Sequence, residues 1–402
     1  MSRRYADLPL HYGHVPPWLA ERMTRLGGAI VEALVVEYGK SEVLKRLSDP
    51  LWFQSFGCVL GMDWHSSGIT TSVMGALKKA LNPRAKELGI FICGGRGKHS
   101  RQTPQELLTL ASRTGLNGES LVRSSKLAAK VDNTALQDGF QLYLHNFIVT
   151  DIGEWAIVQQ GMNDSSGMAR RYHWHSTQFQ SYLDSPHSGV TGNNQGLILN
   201  LAHKDADNTR KTIVKLTEER PDKMMSEIRK IVMPRHHDVR ATDVNLKRLG
   251  AALTLAHERS TSDFESLLLL EGVGPRTIQS LTLVSEVIYG SPTRFNDPAR
   301  FSFAHGGKDG HPFPVPLKTY DETISVLKSA VEKAKVGSGD KQKAIQQLSA
   351  MAWKIEENFQ PNDFFEEALQ KERDQSHLYG GKTVFGDAKP PKKPGAKQLE
   401  MF

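Results

Sequence analysis

Residues 141–162 read QLYLHNFIVT-DIG-EWAIVQQGM, two strand-like runs joined at Asp151-Ile152-Gly153. β-branched and aromatic residues alternate with polar ones on both sides of a glycine-containing turn, which predicts a β-hairpin. The flanking segments have a different period. WLAERMTRLGGAIVEALVVEY (18–38) has helical apolar spacing, a short helix follows at 41–48, and 70–81 reads as another. LGIFIC (88–93) is a compact apolar run expected to be a buried strand, and Thr103-Pro104 with Glu106 predicts a capped helix start. From 201 to 290 helix follows helix, and helices resume at 319–336, 340–358 and 362–373. The expected fold class is α+β. An N-terminal α/β domain with a β-hairpin (1–200) precedes a mainly helical domain (201–318), C-terminal helices (319–370) and a flexible Lys-, Pro- and Gly-rich tail (371–402).

The 402 residues are 39% hydrophobic and 24% charged, values of an ordinary globular chain. No apolar run has the length of a bilayer span and the N-terminus lacks a signal-peptide core, so a cytoplasmic, nucleoid-associated protein without a membrane partner is expected. Cys58 and Cys93 sit in apolar surroundings with no Cys-x-x-Cys, which argues against an iron–sulfur or zinc cysteine set. The net charge of +7 favours polyanions.

Working outward, FESLLLLEGVGPRTIQSLTLVSEVIYG (264–290) places Gly272-Val273-Gly274-Pro275 between two Leu-rich helices. The glycines clear the surface so that backbone N–H groups at the second helix's start can meet a phosphate, with Arg276 and Thr277 beside them and Val273 as an internal plug. The segment resembles the hairpin of the helix-hairpin-helix DNA repair superfamily, which includes the base-excision DNA glycosylases. That resemblance implies DNA as partner, room for a monovalent cation at the hairpin, and an acidic residue some two dozen positions on, where Asp297 stands. Lyases of the superfamily carry a lysine at the position of Arg276, and a guanidinium cannot form a Schiff base.

The chain closes with Lys397-Gln398-Leu399-Glu400-Met401-Phe402. Gln398, Leu399, Met401 and Phe402 resemble the peptide by which bacterial repair proteins dock on the β sliding clamp, the apolar side chains filling pockets and the amide hydrogen-bonding.

Three further segments concentrate chemistry. Gly61–Gly68 carries Asp63 and His65, an acid/base pair. Gly94–Arg101 is a Gly-rich basic loop with Arg96, Lys98 and Arg101, suited to phosphate but without Walker spacing. Lys126–Asn133 carries Lys130 and Asp132, and the β-hairpin adds His145, Gln159 and Gln160. Arg170, Arg171, Tyr172, His173, Trp174 and His175 then interleave cations with aromatic rings, as a nucleic-acid surface does. Lys130 in an apolar setting is a candidate Schiff-base amine, and Asp63 or Asp297 a candidate carboxylate for glycosylase chemistry. A metal-dependent nuclease would instead draw Mg²⁺ to Asp63, Asp132, Asp151 and Glu154. A non-catalytic adaptor would need none of these.

Seven stretches look like signature segments of one archaeal and bacterial family described as a domain of unknown function: LPLHYGHVPPWL (8–19), DPLWFQSFGCVLGMDWHSSGITT (49–71), KVDNTALQDGFQLYLHNFIVT (130–150), WAIVQQGMN (155–163), ARRYHWHS (169–176), PHSGV (186–190) and FSFAHGGKDGHPFPV (301–315). The resemblance spans about residues 8–335 and implies no activity. The expected function is a DNA-binding genome-maintenance protein, a DNA glycosylase or abasic-site lyase, with the chemistry in the N-terminal half.

Overall fold

The computed structural model describes residues 8–9, 15–62, 67–230, 246–259, 261–299, 317–357, 374, 382–383 and 386–387. In chain order the elements are β1 (Leu8–Pro9), α1 (Pro17–Tyr38), α2 (Lys40–Leu47), α3 (Pro50–Val59), α4 (Gly68–Leu81), α5 (Ala85–Leu88), β2 (Ile90–Arg96), α6 (Lys98–Thr114) and α7 (Gly118–Lys130). A π-helical turn, Val131–Ala135, leads into β3 (Leu136–Gln137), β4 (Gln141–Thr150), β5 (Trp155–Asn163), β6 (Met168–His175), β7 (Gly189–Thr191) and β8 (Leu197–Asn200). Helices α8 (Asp207–Glu218), α9 (Pro221–Lys230), α10 (Leu246–Glu258), α11 (Phe264–Leu269) and α12 (Pro275–Tyr289), strand β9 (Arg294–Asn296), helices α13 (Leu317–Lys333) and α14 (Ser338–Glu357), and the paired strands β10 (Lys382–Thr383) and β11 (Gly386–Asp387) follow. The fold is α+β.

The β-hairpin forms as its pattern dictates, β4 against β5, and seeds an antiparallel sheet in the order β1-β6-β5-β4-β2 with β7 beside β6. Helices cover both faces. Ile90, Ile92, Ile148, Ala156 and Val158 point to one face, where α1, α3 and α4 pack with α13 and α14. Phe147, Val149, Trp155, Ile157, Tyr172 and Trp174 point to the other, against α6, α7, α8 and α10–α12. That second core runs unbroken from the strands through Leu201, Leu253, Leu268 and Ile278. The helical segment expected as a separate unit from residue 201 therefore shares its core with the N-terminal region, and the C-terminal helices return to the first core.

Two local readings change. The helix expected to open at Thr103-Pro104 starts earlier, at Lys98, with Pro104 inside it. Proline has no N–H to give the Ser100 carbonyl, and the Thr103 hydroxyl supplies that bond instead, at 2.8 Å. Helix α3 carries no amphipathic period because it is buried all round; Asp49 caps it by accepting from the Trp52 N–H at 2.7 Å. The helix expected at 362–373 lies outside the described residues.

Candidate functional site

Strand β6 corrects the expected nucleic-acid surface. It pairs on both edges and is covered on both faces, so Arg170, Arg171, His173, Trp174 and His175 are all buried. Arg170 points to the second core and grips Asp297 with two bonds of 3.0 and 2.9 Å. It also donates to Asp138 at 2.9 Å and to the Asn193 carbonyl at 2.6 Å, and lies over the Phe140 ring. Burial raises the Asp138 carboxyl above the usual range, with Arg170 opposing. Asp297 further accepts the N–H groups of Gln195 and Ala299. The expected glycosylase carboxylate is thus the counter-ion of an interior guanidinium.

Arg171 points the other way. It donates to Gln54 Oε1 and to His173 Nε2, both at 2.8 Å, and lies over the Phe53 ring. Because a guanidinium only donates, His173 carries its proton on Nδ1, 3.1 Å from the Leu47 carbonyl. Burial, and then Arg171, push the His173 imidazolium well down. His175 Nδ1 accepts from Thr177, and burial lowers this ring too.

A polar chain crosses the second core instead. The π-helical turn carries Asp132 into the interior, where it is fully buried. It accepts from Gln159 Nε2 at 2.5 Å, Trp174 Nε1 at 3.0 Å and His187 Nε2 at 2.5 Å. With its amide nitrogen committed to the carboxylate, Gln159 offers its oxygen to His145 Nδ1 at 2.7 Å. That fixes the tautomer, and His145 Nε2 accepts from the Ser125 hydroxyl at 2.8 Å. Burial lowers the His145 imidazolium to about 4. Sheet register places His145 opposite Gln159, and Gln159 opposite Tyr172, so three strands supply one row. Asp132, His145 and Gln159 were among the polar residues singled out in the sequence, and Trp174 stood there as a ring of the expected surface. Ser125 and His187 were not, because His187 lies 55 residues from its carboxylate and no spacing announces the pair.

The segment 264–289 is a helical hairpin. Asp263 caps α11 by accepting from the Ser266 N–H, and the chain turns at Gly272, whose φ of +82° is a left-handed conformation. Val273 is buried as the plug, while Gly272 and Arg276 are exposed. Gly274 precedes α12 with no side-chain cap. A Cβ built at Gly272 or Gly274 meets nothing within 4 Å, so this backbone faces open space. Thr277, expected at the interface, is buried.

Lys130 and Gln137, which flank the π-helical turn that carries Asp132, tie the hairpin turn to this region. The Lys130 ammonium donates to the Val273 carbonyl, and Gln137 Nε2 to the Pro275 carbonyl at 2.9 Å. Burial lowers the Lys130 ammonium, as expected, yet a backbone carbonyl occupies it. At the hairpin, where the resemblance implied room for a monovalent cation, the Val273 carbonyl accepts from the Lys130 ammonium. A polar cleft of about 470 Å³ along α12, lined by Gln279, Thr282, Glu286 and Arg294, lies apart from Asp132.

Arg96, Lys98 and Arg101 are exposed where β2 passes into α6, with the Arg96 guanidinium 5.7 Å from the Tyr143 ring centre. Gly94 is required there: a Cβ would stand 2.2 Å from the His145 carbonyl oxygen. Asp63, His65, Gln398, Leu399, Met401 and Phe402 lie outside the described residues. Among the described residues no three His, Cys, Asp or Glu side chains come together as metal ligands. Asp132 is interior and Asp151 pairs with Lys40 at 2.6 Å, so these carboxylates do not converge as an Mg²⁺ site would require. Both cysteines are free and buried, and burial pushes the Cys93 thiol up to about 12. No described helix is long and apolar enough to cross a membrane.

These features sit in a chain that belongs to the family described as "Protein of unknown function (DUF763)", which matches residues 4–315. Neither a curated protein nor a solved structure matches the chain.

Proposed function

We propose that this protein binds DNA through the backbone of its helical hairpin and serves in genome maintenance. The observation that carries the reading is the open backbone at Gly272–Gly274, leading without a side-chain cap into a 15-residue helix with exposed Arg276. The first N–H groups of such a helix have no partner within it, and a phosphate satisfies them while gaining from the helix dipole. The exposed cations Arg96, Lys98 and Arg101 add attraction without sequence readout. Lyase and glycosylase chemistry is less well supported than strand binding. Its amine, Lys130, is tied to the hairpin and its carboxylate, Asp297, to Arg170.

Gly274→Val is the direct test. Its φ of −136° suits any residue and a Cβ there meets nothing within 4 Å, so the fold should hold. The side chain would stand where the phosphate must approach, and DNA affinity should fall by about 1–3 kcal/mol, the scale of hydrogen bonds to a charged acceptor. Fluorescence anisotropy at fixed salt measures it. Unchanged affinity on a folded variant would sink the reading. The peptide Gln398–Phe402 is proposed as a separate address on the β sliding clamp. Its deletion should end retention on immobilised clamp and leave DNA affinity as it was. A truncated chain that is still retained would refute it.

A further inference from the structure

The cleft along α12 joins the helical hairpin to a small sheet. Strand β8 pairs with β3 on one side and β9 on the other, and residues of all three strands line the cleft together with α12. Gln279, Thr282, Leu283 and Glu286 stand at i, i+3, i+4 and i+7, so one stripe of α12 faces it. The stripe begins four residues after Pro275, about 6 Å along the helix axis. Gln137, from β3, also lines the cleft and donates to the Pro275 carbonyl itself. The cleft therefore begins about one helical turn from the proposed phosphate grip.

Its lining is mixed in hydrogen-bonding character. The Gln137 amide nitrogen donates to two backbone carbonyls, of Thr134 at 3.2 Å and Pro275 at 2.9 Å, so its oxygen is what it can offer a ligand. Gln195 likewise donates Nε2 to the Asp138 carbonyl, at 3.0 Å. Asn163 is the reverse. Its Oδ1 accepts from the Ser165 N–H and hydroxyl and from the Ser166 N–H, which leaves Nδ2 as a donor. That Nδ2 lies beside Gly139, 3.1 Å from where a Cβ would stand, and Gly139 lines the cleft too. Leu197 adds an apolar surface, 63% exposed.

A phosphate only accepts hydrogen bonds, and here it would meet the Glu286 carboxylate. Among the described residues that line the cleft Arg294 is the one cation, against Glu286 and Asp138, so no surplus of positive charge draws an anion in. A nucleobase edge carries donors and acceptors together and no charge. Its ring face can cover Leu197. The volume of about 470 Å³ is that of a small-ligand pocket and does not admit a duplex.

We infer that this cleft binds one unpaired nucleobase of the DNA strand whose phosphate the hairpin holds. This rests on the DNA-binding reading above and specifies its substrate: a strand with an unpaired nucleotide, at a bulge or gap, in preference to a fully paired duplex. A paired base has its hydrogen-bonding edge in use and its faces stacked, and does not enter.

The test uses the full chain and two duplexes of one sequence, the first fully paired and the second carrying a single bulged 2-aminopurine. Fluorescence anisotropy at fixed salt should show the bulged duplex bound about tenfold more tightly, the order that one or two net hydrogen bonds supply. Acrylamide should quench the bound 2-aminopurine less than the same base in DNA alone. Gln279→Trp, which fills the cleft from α12, should bring the affinity ratio to about one. Should circular dichroism show that variant unfolded, Leu197→Ala, at an exposed side chain, takes its place and should lower the ratio about threefold. Equal affinities in the wild type, or a bound base as open to acrylamide as the unbound one, overturn the base site and leave the hairpin grip standing. A preference that survives intact in the folded variant overturns the assignment to this cleft. A wild-type chain that binds neither duplex overturns the hairpin reading, and the base site with it.

Discussion

Arg170→Met should lower the folding stability by about 3–5 kcal/mol, the scale for breaking a buried ion pair by removing one partner. The side chain has no exposed surface, and neither do the carboxylates of Asp138 and Asp297 that it bridges. Without the guanidinium two carboxyl groups face one another in the interior, with the Tyr172 hydroxyl and the Phe140 N–H on Asp138, at 2.6 and 3.1 Å, and two backbone N–H groups on Asp297 as partial compensation. Urea denaturation at pH 7 measures the loss. The variant should also behave distinctively with pH. Its Asp138 carboxyl, raised by burial and no longer opposed by Arg170, binds a proton more readily in the folded than in the unfolded chain. Its penalty therefore shrinks as pH falls and grows as it rises, so the gap to wild type should narrow in acid. DNA affinity of the folded variant should match wild type. A stable variant with weakened DNA binding would restore Arg170 to the surface and refute the buried pair.

Why the sequence misplaced this arginine has a physical answer. Helices and the β-hairpin announce themselves because their periods are local, as in 18–38 and 141–162. Strand β6 has no such period, since Arg170-Arg171-Tyr172-His173-Trp174-His175 is polar toward both faces. Its charges are tolerated only by groups far along the chain. Asp138 lies 32 residues away and Asp297 127 away on one face; Leu47 is 126 away and Gln54 117 away on the other. A cation beside an aromatic ring reads alike on a surface and in a core, and only the fold separates the two. The helical hairpin was legible because glycine conformation, plug and helix start are consecutive. The Asp132–His187 pair was not, because the histidine's place depends on a carboxylate brought from another element.

Lowering the pH from 7 to 4 should remove about 3 kcal/mol of stability through His145 alone. Its imidazolium is lowered from 6.5 to about 4 in the folded protein by burial, with 5% of the residue exposed. Between those values the unfolded chain binds a proton that the folded one refuses. Stability therefore rises with pH across that window and is lost as pH falls through it. About 2.5 pKa units at 1.36 kcal/mol each give the figure. His173, lowered in the same direction, adds to the effect, whereas Asp138 and Asp49, raised by burial, work against it. The contribution of His145 is isolated by His145→Asn, which keeps a donor for Gln159 Oε1 and gives up the acceptor for Ser125. The variant should be less stable at pH 7 and lose much less than wild type on acidification. Parallel stability curves for the two proteins between pH 7 and 4 would show that His145 titrates freely, and that the tautomer passed from Asp132 through Gln159 is not locked. A flattened curve in the variant would place the acid-sensitive step inside the polar chain that ends at His187.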